Sequence, residues 1–191
     1  VSVPLRVGGR GRLADGAVVT WSVAEGVRGR RWRASVADRD ALRAILLLEL
    51  DGDGHPVKLE LATAAGLLTV HPEPDGVLHG NVVTAAGIGP ITVPFGAVLT
   101  LDIEGLPISV AAACHRLARS VGVGEGIERP LVRIGLDLSV RTTVARLRRR
   151  TADAWTIDGR PLAVDARGVV VLDEAHEWPL EADRRGVDPV E

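Results

Sequence analysis

Apolar and polar residues alternate with a period of two along most of the chain, and turn-forming residues cut the alternation about every ten positions. The turn signals are "DG" at 15, "EG" at 25, "DGDG" at 51, "AAG" at 64, "PDG" at 74, "AAG" at 85, "EGLP" at 104, "DG" at 158 and "ARG" at 166. Between them the pattern predicts strands over 17–25, 30–36, 42–51, 57–62, 66–71, 77–84, 91–95 and 98–103, then over 131–140, 143–150, 154–158, 161–165 and 169–173. Short connections make sequence neighbours pair antiparallel. The expected fold is therefore all-β: a single antiparallel meander curled into an open or closed barrel, a spiral β-roll. One stretch departs from period two. In "ISVAAACHRLARSVG", Val110, Ala113, Cys114, Leu117 and Val121 fall at helical spacing before Gly122, and Pro107 can open the first turn. Residues 108–121 thus admit helix or strand, and the fold holds at most one short helix.

Residues 15–181 are expected to form one β domain, a size that a single core spans. The segments 1–14 and 182–191, rich in charge, Gly and Pro, are expected to be flexible. Trp178 in "HEWPLE" is expected to dock the chain end over the sheet. Hydrophobic residues make up 46% of the chain but aromatics only 3%, so Val, Leu, Ile and Ala must fill the interior. Lys58 is the only lysine among 23 basic residues, a bias toward arginine that points to a high-GC bacterial coding sequence. A net charge of −2 offers no global field to gather nucleic acid or an anionic membrane surface. With Cys114 alone no intrachain disulfide is available, and no apolar run approaches the ~20 residues of a membrane span, so a cytoplasmic location is expected.

The order of a long meander, then "LPISVAAACHRLARSVGVGE", then "GLDLSV", a run ending in Arg, and "LAVDARGVVVLDEAHEWPL" resembles the second half of the putative glycolipid-binding family. Leu106, Pro107 and Ile108 match its first motif, Asp137, Leu138 and Val140 its second, and Val164, Asp165, Gly168, Val169 and Val170 its third, over residues 105–180. The resemblance implies a curled antiparallel sheet like those of bacterial lipoprotein carriers, with an apolar concave face. The family's Asn and Thr before "LPI" and its Gln-Tyr pair are absent here, which removes the residues that would carry over its ligand site.

Several stretches carry candidate chemistry. In "HPEPDGVLHG", His71 and Glu73 share a strand face, and a Pro-Asp-Gly turn sets His79 opposite His71, a ligand set of the kind that holds non-haem iron. Set against this, Pro72 and Pro74 break the strand end, and hairpin tips normally carry exposed polar residues. The expectation is a turn and no metal. "RGRRWRAS" interleaves Arg31 with Trp32, which suits an edge strand with Trp32 packed inward or, failing that, an anionic head group. Glu49 lies on the less apolar face of "LLLELD", where it either meets solvent or, pointing inward, serves as acid or base. Arg148 to Arg150 form a third basic run, read as solvated unless both arginine clusters lie on one rim. Cys114 beside His115 is read as a buried thiol, since adjacent residues diverge. "DGDG" lacks the ligands of a calcium loop and reads as a hairpin turn.

No motif calls for a cofactor. The function expected is non-catalytic binding of a hydrophobic or amphipathic, lipid-like small molecule in the concave face, with Arg31, Trp32, Glu49 and His79 as ligand-binding candidates. Neither nucleic acid nor an integral membrane segment is expected. Two other classes stay open: an enzyme of specialised metabolism using the same cavity, which needs Glu49, His71 and His79 to converge, and a structural or partner-binding module, which needs a filled interior and an exposed apolar patch.

Overall fold

The computed structural model describes residues 6–13, 15–94, 100–173 and 181–182. It is all-β apart from one helix. The strands are β1 (Arg6–Arg12), β2 (Val18–Gly26), β3 (Gly29–Ala37), β4 (Leu42–Leu50), β5 (Pro56–Thr63), β6 (Gly66–Pro72), β7 (Val77–Thr84), β8 (Gly87–Pro94), β9 (Thr100–Ile103), β10 (Gly126–Ile134), β11 (Val140–Arg149), β12 (Ala154–Ile157), β13 (Arg160–Val164), β14 (Val170–Asp173) and β15 (Glu181–Ala182), with helix α1 (Ile108–Leu117) between β9 and β10. The meander is shared between two sheets. The first runs β15-β1-β2-β3-β4-β5-β6-β7-β8, and the second, a curled half-barrel, runs β14-β13-β12-β11-β10-β9.

The hairpins follow from local chemistry. Asp51 Oδ1 accepts from the N–H groups of Asp53 and His55 in the "DGDG" turn. In the "PDG" turn Gly76 has φ +77° and donates to Glu73 O at 3.0 Å. "Thr-Ala-Ala-Gly" closes two hairpins, β5–β6 and β7–β8, each with the Thr hydroxyl accepting from the second Ala N–H.

Residues 108–121 resolve as helix: α1 spans Ile108–Leu117 and is buried along nearly its whole circumference. The small side chains Ala111, Ala112 and Ala113 let it lie close between the two sheets. It meets the first sheet near Leu48 and Leu50, and the second at β9 and β13. As the crossover between β9 and β10 it makes that pair parallel, the exception to an otherwise antiparallel pattern. One apolar cluster runs through both sheets and the helix.

Three differences from the pattern reading have physical causes. Arg6–Arg12 forms β1 inside the stretch expected to be flexible. Gly9 admits the Trp21 indole, which lies where a Cβ would come within 2.6 Å of Cζ2. The strand expected at 131–140 breaks, because Asp137 Oδ1 takes both the N–H and the hydroxyl of Ser139, and Leu138 adopts φ +64°. β10 instead begins earlier, at Gly126. Trp178 lies outside the described residues, as do 1–5 and 183–191 of the two terminal segments.

Candidate functional site: the outer face of the first sheet

The predicted site residues lie on β3, β4, β6 and β7, and the pleat divides them. Arg31 and Glu49 are direct cross-strand partners, joined by an ion pair of 2.6 Å on the outward face. Trp32 points the other way into the core, with its ring centroid 6.0 Å from that of Trp21. His71 and His79 stand opposite each other, as the turn requires. Each imidazole is occupied by a neighbouring carboxylate: His71 Nε2 lies 3.0 Å from Glu73 Oε1, and His79 Nε2 lies 3.4 Å from Asp75 Oδ2. Glu49 and His79 are three strands apart, about 14 Å, so they do not converge. Among the described residues no group of three or more His, Cys, Asp or Glu is placed to hold a metal ion.

Among the described residues, buried side chains from both sheets and α1 pack into one apolar cluster. Where hairpin ends of the first sheet meet α1, a cleft of about 60 Å³ is lined in part by Arg30, Trp32, Asp51, His115 and Arg119. That space suits one or two waters and is far below the roughly 300–1,000 Å³ of a small-molecule pocket. Of its polar groups, Arg30 is held by Glu25 at 2.9 Å and bonded to Arg167 O, while the buried Trp32 Nε1 has no hydrogen-bond partner among the described residues. Burial, with Arg30 and Arg119 nearby, pushes the His115 pKa below its ordinary value. Burial alone pushes the Cys114 thiol up, so it stays protonated, and neighbouring Cys114 and His115 diverge as expected.

No family model, curated protein or solved structure matches the chain. No helix among the described residues is long and apolar enough to cross a membrane.

The outward face of the first sheet carries a feature that period two alone did not single out. Ile45, Ala62, Leu67, Val83 and Ile88 are successive cross-strand partners on β4, β5, β6, β7 and β8. They form one unbroken apolar row, about 19 Å long at four strand spacings. Ile45 is 47% exposed, Leu67 42%, Val83 41% and Ile88 74%. Two residues along the strands, a mixed row follows: Leu47, Glu60, Thr69, Asn81 and Pro90. Beyond it lie Arg31, Glu49, Lys58, His71, His79 and Thr92. The face is thus graded from apolar to ionic along the strand direction. Some of its charges are paired in place, Arg31 with Glu49 and Lys58 with Glu60 at 2.8 Å, while exposed Arg33, opposite Leu47, forms no ion pair among the described residues.

The missed signal is in the runs "AILLLEL" and "GLLTV", where both faces of a strand are apolar. Such runs do not say which residue points outward. Cross-strand register is what aligns Ile45 with Leu67, Val83 and Ile88.

Proposed function

We propose that the chain is a non-catalytic binding protein for a hydrophobic or amphipathic, lipid-like small molecule, received on the outer face of the first sheet. The observation that carries this reading is the apolar row Ile45, Ala62, Leu67, Val83 and Ile88, set beside a polar and ionic margin. An apolar tail fits the row, and a polar head fits the margin near His71 and His79. The size of the row favours a small occupant. Its side chains expose on the order of a few hundred Å², whereas a stable protein interface takes about 800 Å² from each partner.

The reading moves the ligand from the concave side to the outer face, because α1 and aliphatic side chains occupy the interior. It is non-catalytic because the titratable groups bordering the row are committed to one another: Glu49 to Arg31, His71 to Glu73 and His79 to Asp75.

The test is titration of the protein with a long-chain alkyl glycoside and with an anilinonaphthalene sulfonate probe, followed by fluorescence and native mass spectrometry. Saturable binding is expected, weakened about tenfold or more in Leu67→Ser/Val83→Ser, the equivalent of about 1.4 kcal/mol. Both positions are partly exposed, so the circular dichroism spectrum should be unchanged. Equal binding by the variant, or no binding by the wild type, would sink the reading.

A further inference from the structure

Strand β11 places arginines on both of its faces, and the two sets meet different surroundings. Ala145 and Leu147 are buried, so Val144, Arg146 and Arg148 project outward, and Arg150 follows just past the strand end. Successive members of this set are about 7 Å apart, close enough to repel one another. No ion pair among the described residues involves Arg146, Arg148 or Arg150. The positions beside Arg148 cannot supply one: its cross-strand partners are Gly126 on β10 and Thr156 on β12.

Two acids, Glu128 and Asp158, line the same surface but form no ion pair with these guanidinium groups. Glu128 stands opposite Arg146 without pairing to it. Asp158 is used by the backbone, its Oδ1 accepting from the Arg146 N–H at 2.8 Å while its own N–H donates to Arg146 O at 2.9 Å. That pair of hydrogen bonds clamps the Asp158-Gly159 turn, with φ of +51° and +87°, against β11. Arg148 Nε donates to Gly124 O at 3.3 Å, which anchors its stem and leaves both Nη groups uncommitted. Gly124, Gly126 and Gly159 form the bare backbone of an open trough of about 1260 Å³ whose charged lining is the three arginines with Glu128 and Asp158, an excess of one positive charge.

We propose that this trough binds an oxyanion, the phosphate or sulfate group of a small ligand, with Arg148 as the central contact and Arg146 and Arg150 flanking it. Guanidinium groups present paired N–H donors that match the edges of such groups. The chain as a whole is negative, so the attraction has to come from this local cluster. The strip is short, about 14 Å from Arg146 to Arg150, and uncharged Val144 and Thr142 lie beyond it on the same face. That length fits one or two phosphate groups and falls short of a nucleic-acid track. The site is on the second sheet and does not depend on the apolar row of the first.

The experiment is calorimetric titration with inorganic phosphate and tripolyphosphate, alongside flotation with phosphatidylcholine vesicles with and without phosphatidic acid. The proteins compared are wild type, Arg148→Gln, Arg146→Gln/Arg150→Gln and, as a control, Arg28→Gln, an exposed arginine in the β2–β3 turn. Saturable tripolyphosphate binding, weakened about tenfold or more in Arg148→Gln and kept in Arg28→Gln, supports the proposal with a soluble ligand. Flotation that requires phosphatidic acid and Arg148, without soluble binding, supports it with a lipid head group as the source. Absence of both kinds of binding, or equal losses in Arg148→Gln and Arg28→Gln, overturns it.

Discussion

On the first sheet Arg31 is held by Glu49, Arg43 by Asp15 and Asp38, and Lys58 by Glu60, whereas on the second Arg146 and Arg148 stand side by side with no carboxylate paired to them. The first arrangement lowers the net field over a face that also carries an apolar row. The second keeps positive charge available at one trough. The two proposed sites rest on this difference, apolar contact on one sheet and electrostatic contact on the other, and charge counts along the sequence say little about charge at a surface.

The comparison can be broken most forcefully at the core the sheets share. Trp32 belongs to the first sheet and Trp155 to the second, and both are almost wholly buried. Trp32→Ala and Trp155→Ala should each cost about 3–5 kcal/mol in denaturant unfolding, with a single transition. A biphasic curve for either would mean that the sheets are energetically separate. A finer contrast lies within β11. Arg149 points inward, donates to Ala118 O at 2.9 Å and Val121 O at 3.0 Å at the end of α1, and lies 5.8 Å over the Trp155 ring. Arg149→Met should cost about 1.5–3 kcal/mol, while outward-facing Arg148→Met should stay within about 0.5 kcal/mol. Equal effects would erase the distinction between the two faces.

The smallest effect concerns the seam between the sheets. The folded His115 pKa lies below the ordinary 6.5 because of burial and the neighbouring Arg30 and Arg119. The unfolded chain then binds the proton more readily, so stability should fall as pH drops below 6.5 and level off below the folded pKa. His115→Gln should flatten this slope in urea midpoints measured across that window. An unchanged slope would show that other groups set it.

Much of the fold was legible because inward-facing residues repeat with period two and turns have their own chemistry. Strands β2 to β7 fall within a residue or two of their expected limits, while the helical spacing of Val110, Cys114 and Leu117 left α1 open between helix and strand. β1 was not legible, since "RVGGRGR" has almost no apolar side chains and is placed by Trp21 lying over Gly9. The division into two sheets was hidden as well, because a hairpin pattern looks the same whichever sheet receives it. Of the site, the β6–β7 hairpin and the outward Glu49 could be read locally. The apolar row could not, since its members are separated by turns and meet only through register. In "RLRRR" the sequence shows one charge run, whereas the pleat sends Arg149 to a helix end and leaves Arg148 and Arg150 outside.

The parallel β9–β10 pair has a kinetic consequence. Neighbours from β1 to β8 are joined by hairpins, so their pairing closes only short loops and should be quick. Thr100 meets Leu131 only after the chain has passed through α1, a longer closure with a larger entropic barrier. Order in the second sheet should therefore lag behind the first, with the docking of α1 as the gating event. A substitution that weakens α1, such as Ala112→Gly, should slow the late refolding phase while leaving early protection of amides in β4 to β7 intact in pulsed hydrogen exchange.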